Sequence, residues 1–322
     1  MRLRLIRDNT SIDFFKHARV WLGISLVMMV VAMGSFAMRG LTYGIDFQGG
    51  TSIRTQSELP VDVAAYRAAL APLNLGDVSI AEVNDPTFAD NQHVSLIRIQ
   101  AQEGDERIAS ETVDAIEAAM HTVDPAMTFP SVESVGPKVS GELIKTAIMA
   151  VSLAVGAILI YIWVRFEWQF AAGAVLALCH DVLLTIGIFS EIGLTFDLTI
   201  IAALLTIVGY SINDTVIVFD RVRENLRKYK QMELKDVLNL SINETLSRTL
   251  MTSGTTLIAL IALYTLGGDV IRGFVFAMIW GVIVGTYSSI FVASTIVLVL
   301  GVKRDWSKKD PAAGGRYAHI DT

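Results

Sequence analysis

The chain has 322 residues, 52% hydrophobic and 18% charged, with a formal net charge of −6. Soluble domains carry about 25% charged residues, whereas here long stretches are almost free of charge and the charges crowd between them. That pattern excludes a single soluble globule and describes a polytopic membrane protein with one soluble insert.

Residues 1–19 form a basic tail with Arg2, Arg4, Arg7, Lys16 and Arg19, followed by an apolar run over 20–38. The pair resembles a signal peptide, but the core is too long and no small-residue cleavage site follows, so an uncleaved anchor is expected. About 20 apolar residues cross the hydrocarbon. Five further runs qualify: 143–164, 170–189, 198–219, 250–266 and 274–300.

Orientation follows the Lys/Arg bias of the short loops. With the N-terminus cytoplasmic, the inner segments hold 18 of the 26 basic residues. The loop Ser190 to Asp197 has two acids and no base, which agrees. Both termini are therefore expected in the cytoplasm, and the 39–142 insert outside it.

The insert carries 16 acids against 6 bases. It lacks the basic face that nucleic acid requires, so no nucleic-acid partner is expected. Thr51 to Gln56, Val78 to Val83, Val94 to Ile99 and Met127 to Val135 read as strands. Pro60 to Leu70 and Glu106 to His121 read as helices, the first with Pro at its start. A turn at Asn84-Asp85-Pro86 separates the middle strands. The order β-α-β-β-α-β is the ferredoxin-like α+β arrangement.

Just outside the first span lies Gly44-Ile45-Asp46-Phe47-Gln48-Gly49-Gly50. Glycines so dense imply positive φ angles or close backbone approach, with Asp46 bonding local amides in a turn. A rigid junction between membrane and insert is the simple reading. Cys179, the one cysteine, excludes an intrachain disulfide and reads as a small buried residue. Beside it, His180-Asp181 stands near mid-span. This pair suits either a proton relay or a hydrogen-bonded structural pair between helices.

The fourth span holds Gly209-Tyr210-Ser211-Ile212-Asn213-Asp214-Thr215. An acid near a bilayer centre costs roughly 2.5–3.5 kcal/mol, so Asp214 is a functional candidate by default. It falls ~9 Å from the span midpoint at 1.5 Å per residue. Tyr210 shares its face at i, i+4, as Gly209 does with Asn213. Residues 220–249 then form a basic amphipathic stretch with Leu234, Val237 and Leu238, expected along the inner leaflet. Arg248, Thr252, Thr255 and Thr256 make a polar stripe entering the fifth span from the same side. Arg248 is the expected counter-charge of Asp214, or else a snorkelling anchor. Asp269 and Arg272 flank the next turn and read as solvated. Gly281 and Gly285 form a G-x-x-x-G pattern for close helix packing, followed by Ser288 and Ser289. Residues 301–322 are a basic tail suited to anionic membrane lipid. No metal-ligand cluster, Walker loop or G-x-S-x-G occurs, so neither an enzyme nor a cofactor is expected.

The motifs GIDFQGG (44–50), VGPKVSGEL (135–143), HD (180–181), GYSINDTVIVFDRVREN (209–225) and LSRTLMTSGTT (246–256) resemble those of the SecD/SecF family, accessory subunits of the bacterial Sec translocase. The resemblance covers nearly the whole chain. It implies an RND-like half-unit of six transmembrane helices with one extracytoplasmic ferredoxin-like domain, in the inner membrane. It implies partnership with SecD, the SecYEG channel and a translocating preprotein, with proton flow driving export. Carried over by position, Asp214 and Arg248 match the family's proton pathway and an acid of SecD is the third member. Asp181 and His180 match a family motif and join the candidate pathway, with Tyr210, Ser211, Asn213, Thr252 and Thr256 as its supporting polar face. Gly44, Asp46, Gly49 and Gly50 match a motif at the membrane junction. Two other readings stay open: an assembly subunit with no ion path, and half of an RND-type exporter.

Overall fold

The computed structural model describes residues 10–83, 88–89, 91–100, 110–268 and 271–302. Six helices in it are long and apolar enough to cross a membrane.

The first is α1 (Ala18–Arg39), which ends at Gly40 and runs into a two-residue strand, β1 (Thr42–Tyr43). A single helical turn follows, α2 (Ile45–Gln48), and then the insert: β2 (Gly50–Ser57), α3 (Val63–Leu70), β3 (Val78–Val83), β4 (His93–Gln100), α4 (Ser110–His121) and β5 (Thr128–Val135). The sheet order is β3-β4-β2-β5, all antiparallel, which is the ferredoxin-like topology. Alternation along the strands puts Ile53, Ile97 and Ile99 on one face. There they bury against Tyr66 and Leu70 of α3 and Ile116 and Met120 of α4.

The first of these helices starts three residues later than its proline predicts. Asp62 caps it, accepting from the amides of Ala64 and Ala65 at 2.9 and 3.0 Å. A carboxylate that satisfies two orphan amides outweighs the preference of Pro60 for a helix start. The expected turn at residues 84–86, the first residues of the second helix and most of the C-terminal tail lie outside the described residues.

Below β5 the insert returns to the membrane through α5 (Pro137–Arg165), with Pro137 at its first turn. A short turn leads to α6 (Trp168–Ile192), which stops at Gly193 in the left-handed conformation, φ 69°. A two-residue strand, β6 (Thr195–Phe196), pairs in parallel with β1. Then come α7 (Leu198–Lys228), α8 (Leu234–Leu266) and α9 (Arg272–Tyr287), which passes through a π-helical turn, Ser288–Ala293, into α10 (Ser294–Leu300). In α6 and in the α9–α10 unit, 56% and 61% of the most apolar window is buried, against 11% for α5 and α8. The former are the centre of the bundle and the latter its exposed periphery.

Small residues set the helix contacts. A Cβ added at Gly187 of α6 would lie 2.2 Å from the Ala32 Cβ of α1. One added at Gly281 would lie 2.3 Å from Ile207 of α7, and one at Gly285 would meet Ser211 at 3.1 Å. The G-x-x-x-G pattern of α9 is thus the seat of α7.

Three details depart from the sequence expectations. Residues 220–228 continue α7 and 234–249 belong to α8, so the amphipathic stretch is a helical hairpin that buries Val222, Leu226, Val237 and Leu238 against the bundle. Cys179 is exposed on the outside of α6. Arg272 is half-buried, with its guanidinium 5.7 Å from the Tyr264 ring, because the turn into α9 folds against α8.

The N-terminal segment straps this hairpin. Asn239 and Asn243, one turn apart on α8, read its backbone: Asn243 accepts from the Ile12 amide and donates to the Ile12 carbonyl, both at 2.9 Å. Asn239 accepts from the Phe14 amide and donates to the Asp13 carboxylate, also both at 2.9 Å.

In the insert, the Ser57 hydroxyl donates to the buried Asp124 carboxylate and holds it below the usual range, with a second contribution from the Ala126 amide. The folded pKa is lowered, so the stabilisation is present above the unfolded value, about 3.9, and is lost as pH falls through the folded value. Ser57→Ala is therefore expected to destabilise the insert at neutral pH by about 1.5–3 kcal/mol, as for a hydrogen bond to a charged group. Amide exchange of the full chain, followed from neutral pH to below about 4, should show the gap from wild type closing. A gap independent of pH rejects the role given to Asp124.

Candidate functional site

Asp214 lies on the buried face of α7 with Ile207, Ser211 and Val218, and is 1% exposed. Neither of its carboxylate oxygens has a hydrogen-bond partner among the described residues. Arg248 of α8 is near enough to act on it electrostatically, but its side chain is exposed and forms no ion pair with the acid. The expected contact pair is therefore open. Arg248 faces away from the chain's interior while its intended partner is closed off within it. Tyr210 does not turn to Asp214 either. Its hydroxyl donates across to α8, to Ser253 at 3.4 Å and Thr256 at 3.5 Å. Ser253 is in turn 2.7 Å from the Thr286 hydroxyl of α9, so a line of hydroxyls crosses from α7 through α8 to α9.

The rest of the predicted polar face divides in two. Ser211 is buried and works elsewhere, as described below. Asn213 and Gly209 are exposed, and a Cβ at Gly209 would meet nothing within 4 Å. Thr252 and Thr256 spend their hydroxyls on carbonyls one turn back, at Arg248 and Thr252, which is how such residues sit in a helix without a solvent partner. Gly209 and Asn213 on α7 and Arg248 on α8 are exposed positions that are small or polar where lipid contact favours apolar residues.

The second cluster surrounds Asp181, which is fully buried. Its carboxylate accepts from Ser211 of α7 at 2.6 Å and from Ser288 at 2.7 Å, and its other oxygen is 2.9 Å from the His180 Nδ1. Three polar side chains, one from each of three transmembrane segments, meet at this carboxylate. Ser288 opens the π-helical turn and also donates to the Gly285 carbonyl. Irregular turns of this type often mark functional positions. His180 Nε2 has no hydrogen-bond partner among the described residues. Its ring lies 6.1 Å from that of Tyr287, whose hydroxyl donates to the Trp21 carbonyl of α1 at 2.9 Å and is 2.9 Å from Ser25. Ser211 is one turn from Asp214 on the buried face of α7, so the α6 acid contacts that face one turn from the α7 acid.

The third site is the junction of insert and membrane. Gly44 donates its amide to the Phe196 carbonyl at 2.9 Å, and a Cβ there would crowd Asp197 at 3.1 Å. Gly49 and Gly50 have φ of 72° and 123°, values that L side chains rarely adopt. Asp46 does not bond local amides as its sequence context suggested. It accepts from the Leu198 amide at 3.1 Å, at the N-terminus of α7, where Asp197 accepts from Thr199 and Ile200. Two carboxylates thus cap this one helix, where its amides are unsatisfied and its dipole favours negative charge. Arg98 of β4 adds a bond to the Thr195 hydroxyl at 2.7 Å. The insert is fastened to the N-terminal end of the helix that carries Asp214.

Asp46→Ala removes one of these caps and leaves Asp197. Amide exchange over Leu198 to Ile201 is expected to quicken about tenfold, the equivalent of one charge-assisted bond, with little change around Asp214. Unaltered exchange at Leu198 rejects the cap.

The sequence named Ser288 only beside a helix-packing pattern, and Tyr287 and Ser25 did not stand out in it. The one available signal was that Ser288 follows Gly285 by three residues, which puts it on the same packed face.

Comparison with known proteins places these features in a family. The model for "Protein export membrane protein SecD/SecF, C-terminal" matches residues 115–303, and that for the "SecD/SecF GG Motif" matches 34–58. The second match contains the glycines and Asp46. A protein translocase subunit SecF from Cereibacter sphaeroides is 60% identical over 320 residues, covering 99% of both chains. One from Rhodobacter capsulatus is 58% identical, over 97% of this chain and 95% of that one. Among solved structures, SecDF, a translocon-associated membrane protein from Thermus thermophilus, fits with a TM-score of 0.82 at 36% identity. SecDF in a super-membrane-facing form fits with 0.66 at 37% identity. The chain covers 92% and 91% of its own length in these two fits but only 39% of each SecDF chain.

Proposed function

The chain belongs to the SecD/SecF family of protein export membrane proteins, and from that premise we propose that it is a proton-coupled subunit of the Sec export machinery. It works with SecD beside the SecYEG channel to promote preprotein translocation across the inner membrane. In this reading both termini are cytoplasmic and the 39–142 domain is periplasmic. The chain is not an enzyme. Its energy comes from the proton gradient, worth about 2.3 kcal/mol per elementary charge for each 100 mV.

The observation that carries the reading is Asp214: a buried intramembrane acid with both oxygens unpartnered among the described residues. Such a group is costly unless it serves a function or finds a partner outside the chain. Protonated, it is neutral and at ease in its site. Deprotonated, it needs the charge of Arg248, which now faces outward. A cycle between these two states requires α7 and α8 to shift relative to each other. Asp181 and His180 of α6 contact the buried face of α7 through Ser211, so they join the proton path or register its state. The double cap on α7 carries the shift to the periplasmic domain. The exposed positions Gly209, Asn213 and Arg248 support an interface with SecD, whose own acid would complete the site.

The test is export driven by a proton gradient in vesicles holding SecYEG, SecD and this chain, with and without a protonophore. Stimulation that survives collapse of the gradient rejects the proposal. The competing reading, an assembly subunit with no ion path, draws on the same exposed positions, and the Asp214 variant discussed below separates the two.

A further inference from the structure

The end of the bundle where α5 turns into α6 holds a second concentration of charge, apart from the buried acids. Arg165, Asp220, Arg223, Glu224, Arg227 and Lys228 line an open cleft of about 540 Å³ between the last turns of α5 and α7. The acids in it are already partnered. Asp220 accepts from Arg165 at 2.7 Å, and Glu224 from Arg221 at 2.7 Å. Arg221 lies outside the lining and also pairs with Glu244 at 2.6 Å, so it offsets Glu224 only in part; the lining itself sets four cations against two acids. Arg223 donates to the Arg165 carbonyl at 3.1 Å, and its guanidinium and that of Arg165 flank the Phe166 ring at 5.4 and 5.1 Å. These contacts fix two cations in the wall. Arg227 has no hydrogen-bond or ion-pair partner among the described residues, and Lys228 lies over the Tyr229 ring at 5.0 Å.

Basic residues in the last turn of a helix offset its dipole, about half a charge per helix. That accounts for one of them on α7. It does not account for Arg165, because α5 ends at Arg165 and α6 begins at Trp168, so the dipoles of the two termini oppose. An excess of positive charge remains, aimed into an open cleft. The aromatic residues fix its depth. Tyr161, Trp163 and Trp168 stand exposed around Arg165, and exposed Trp and Tyr at the ends of spans mark the headgroup level of a bilayer.

We propose that this cleft binds the phosphate of an anionic phospholipid headgroup, held by Arg223, Arg227 and Lys228. The apolar, exposed side of α5 above it, with Ile160 and Val164, receives the acyl chains. A bound lipid would brace α5 against the inner end of α7. The site is independent of the proton pathway and stands whether or not that pathway exists.

The test is native mass spectrometry of the full chain in detergent, with dioleoyl phosphatidylglycerol, dioleoyl phosphatidylcholine or inorganic phosphate as probes. Wild type should retain the glycerol lipid over the choline lipid. Arg227→Gln, which breaks no contact within the protein, should lower that preference about fivefold, the worth of one cation at an anionic surface. Arg223→Gln with Arg227→Gln should lower it more than about tenfold. Lys16→Gln with Arg19→Gln, an equal loss of charge at exposed positions outside the cleft, should leave it within about twofold. Equal losses in both double variants would mean diffuse attraction and overturn the proposal. So would a silent Arg227→Gln, the absence of any headgroup preference, or displacement of the lipid by millimolar inorganic phosphate, which would mark a free-phosphate site.

Discussion

Asp214→Asn is expected to abolish proton-dependent stimulation of export, by at least about tenfold, while leaving the chain folded and able to join its partner. The two side chains have nearly the same shape, so the buried face of α7 is preserved. What is removed is the ability to take and release a proton. The acid has no hydrogen bond to lose among the described residues, and its neutral replacement is cheaper to bury, so thermal stability should hold or rise. The measurement is export in vesicles with and without a gradient, alongside co-purification with SecD. Normal stimulation in the Asn variant would falsify the proton role. Loss of co-purification would instead favour the assembly reading, because a neutral isostere can break a complex only if the charge itself was part of the interface.

The second large effect is structural. Gly281→Ala puts a methyl 2.3 Å from Ile207, which is fully buried on α7. Overpacking of this kind costs about 1–3 kcal/mol, partly offset by about 1 kcal/mol from replacing a helical glycine. The net expectation is a lower melting temperature for the full chain in detergent. Gly285→Ala, with its nearest contact at 3.1 Å, should be milder. Gly281→Ala combined with Ile207→Ala should fall less than the two single losses predict, because the second change makes room for the first. Strict additivity would mean that α9 does not seat α7 through this glycine.

Much of this molecule can be read from residues alone. The apolar runs, the β-α-β-β-α-β order and the closely packed glycines each leave a local periodic signal. Asp214 stood out because an acid in such a run is expensive. What could not be read has a common cause: its meaning lies in a partner far along the chain. Asp46 sits in a glycine-rich turn and suggests a local bond, yet its partner amide is 152 residues away. Asn239 and Asn243 look like ordinary polar positions on a helix until residues 12–14 are laid across them. The hairpin of α7 and α8 imitates a surface helix because its apolar stripe faces the bundle, where a stripe facing lipid has the same period. Arg248 was legible as a cation near Asp214, and it does act on that acid electrostatically, but level in the membrane does not fix whether two side chains touch.

The double cap on α7 has a mechanical consequence. The helix is unbroken from Leu198 through Asp214 to Lys228, so it behaves as a lever arm. Sixteen residues at 1.5 Å each make about 24 Å between the cap and the acid. A tilt of only about 5° at the level of Asp214 moves the capped end by about 2 Å over that length. A displacement of that size exceeds the tolerance of the 3.1 Å bond from Leu198 to Asp46. The insert must then either follow the arm or let go of it, and the glycines beside Asp46 set how freely it can swing.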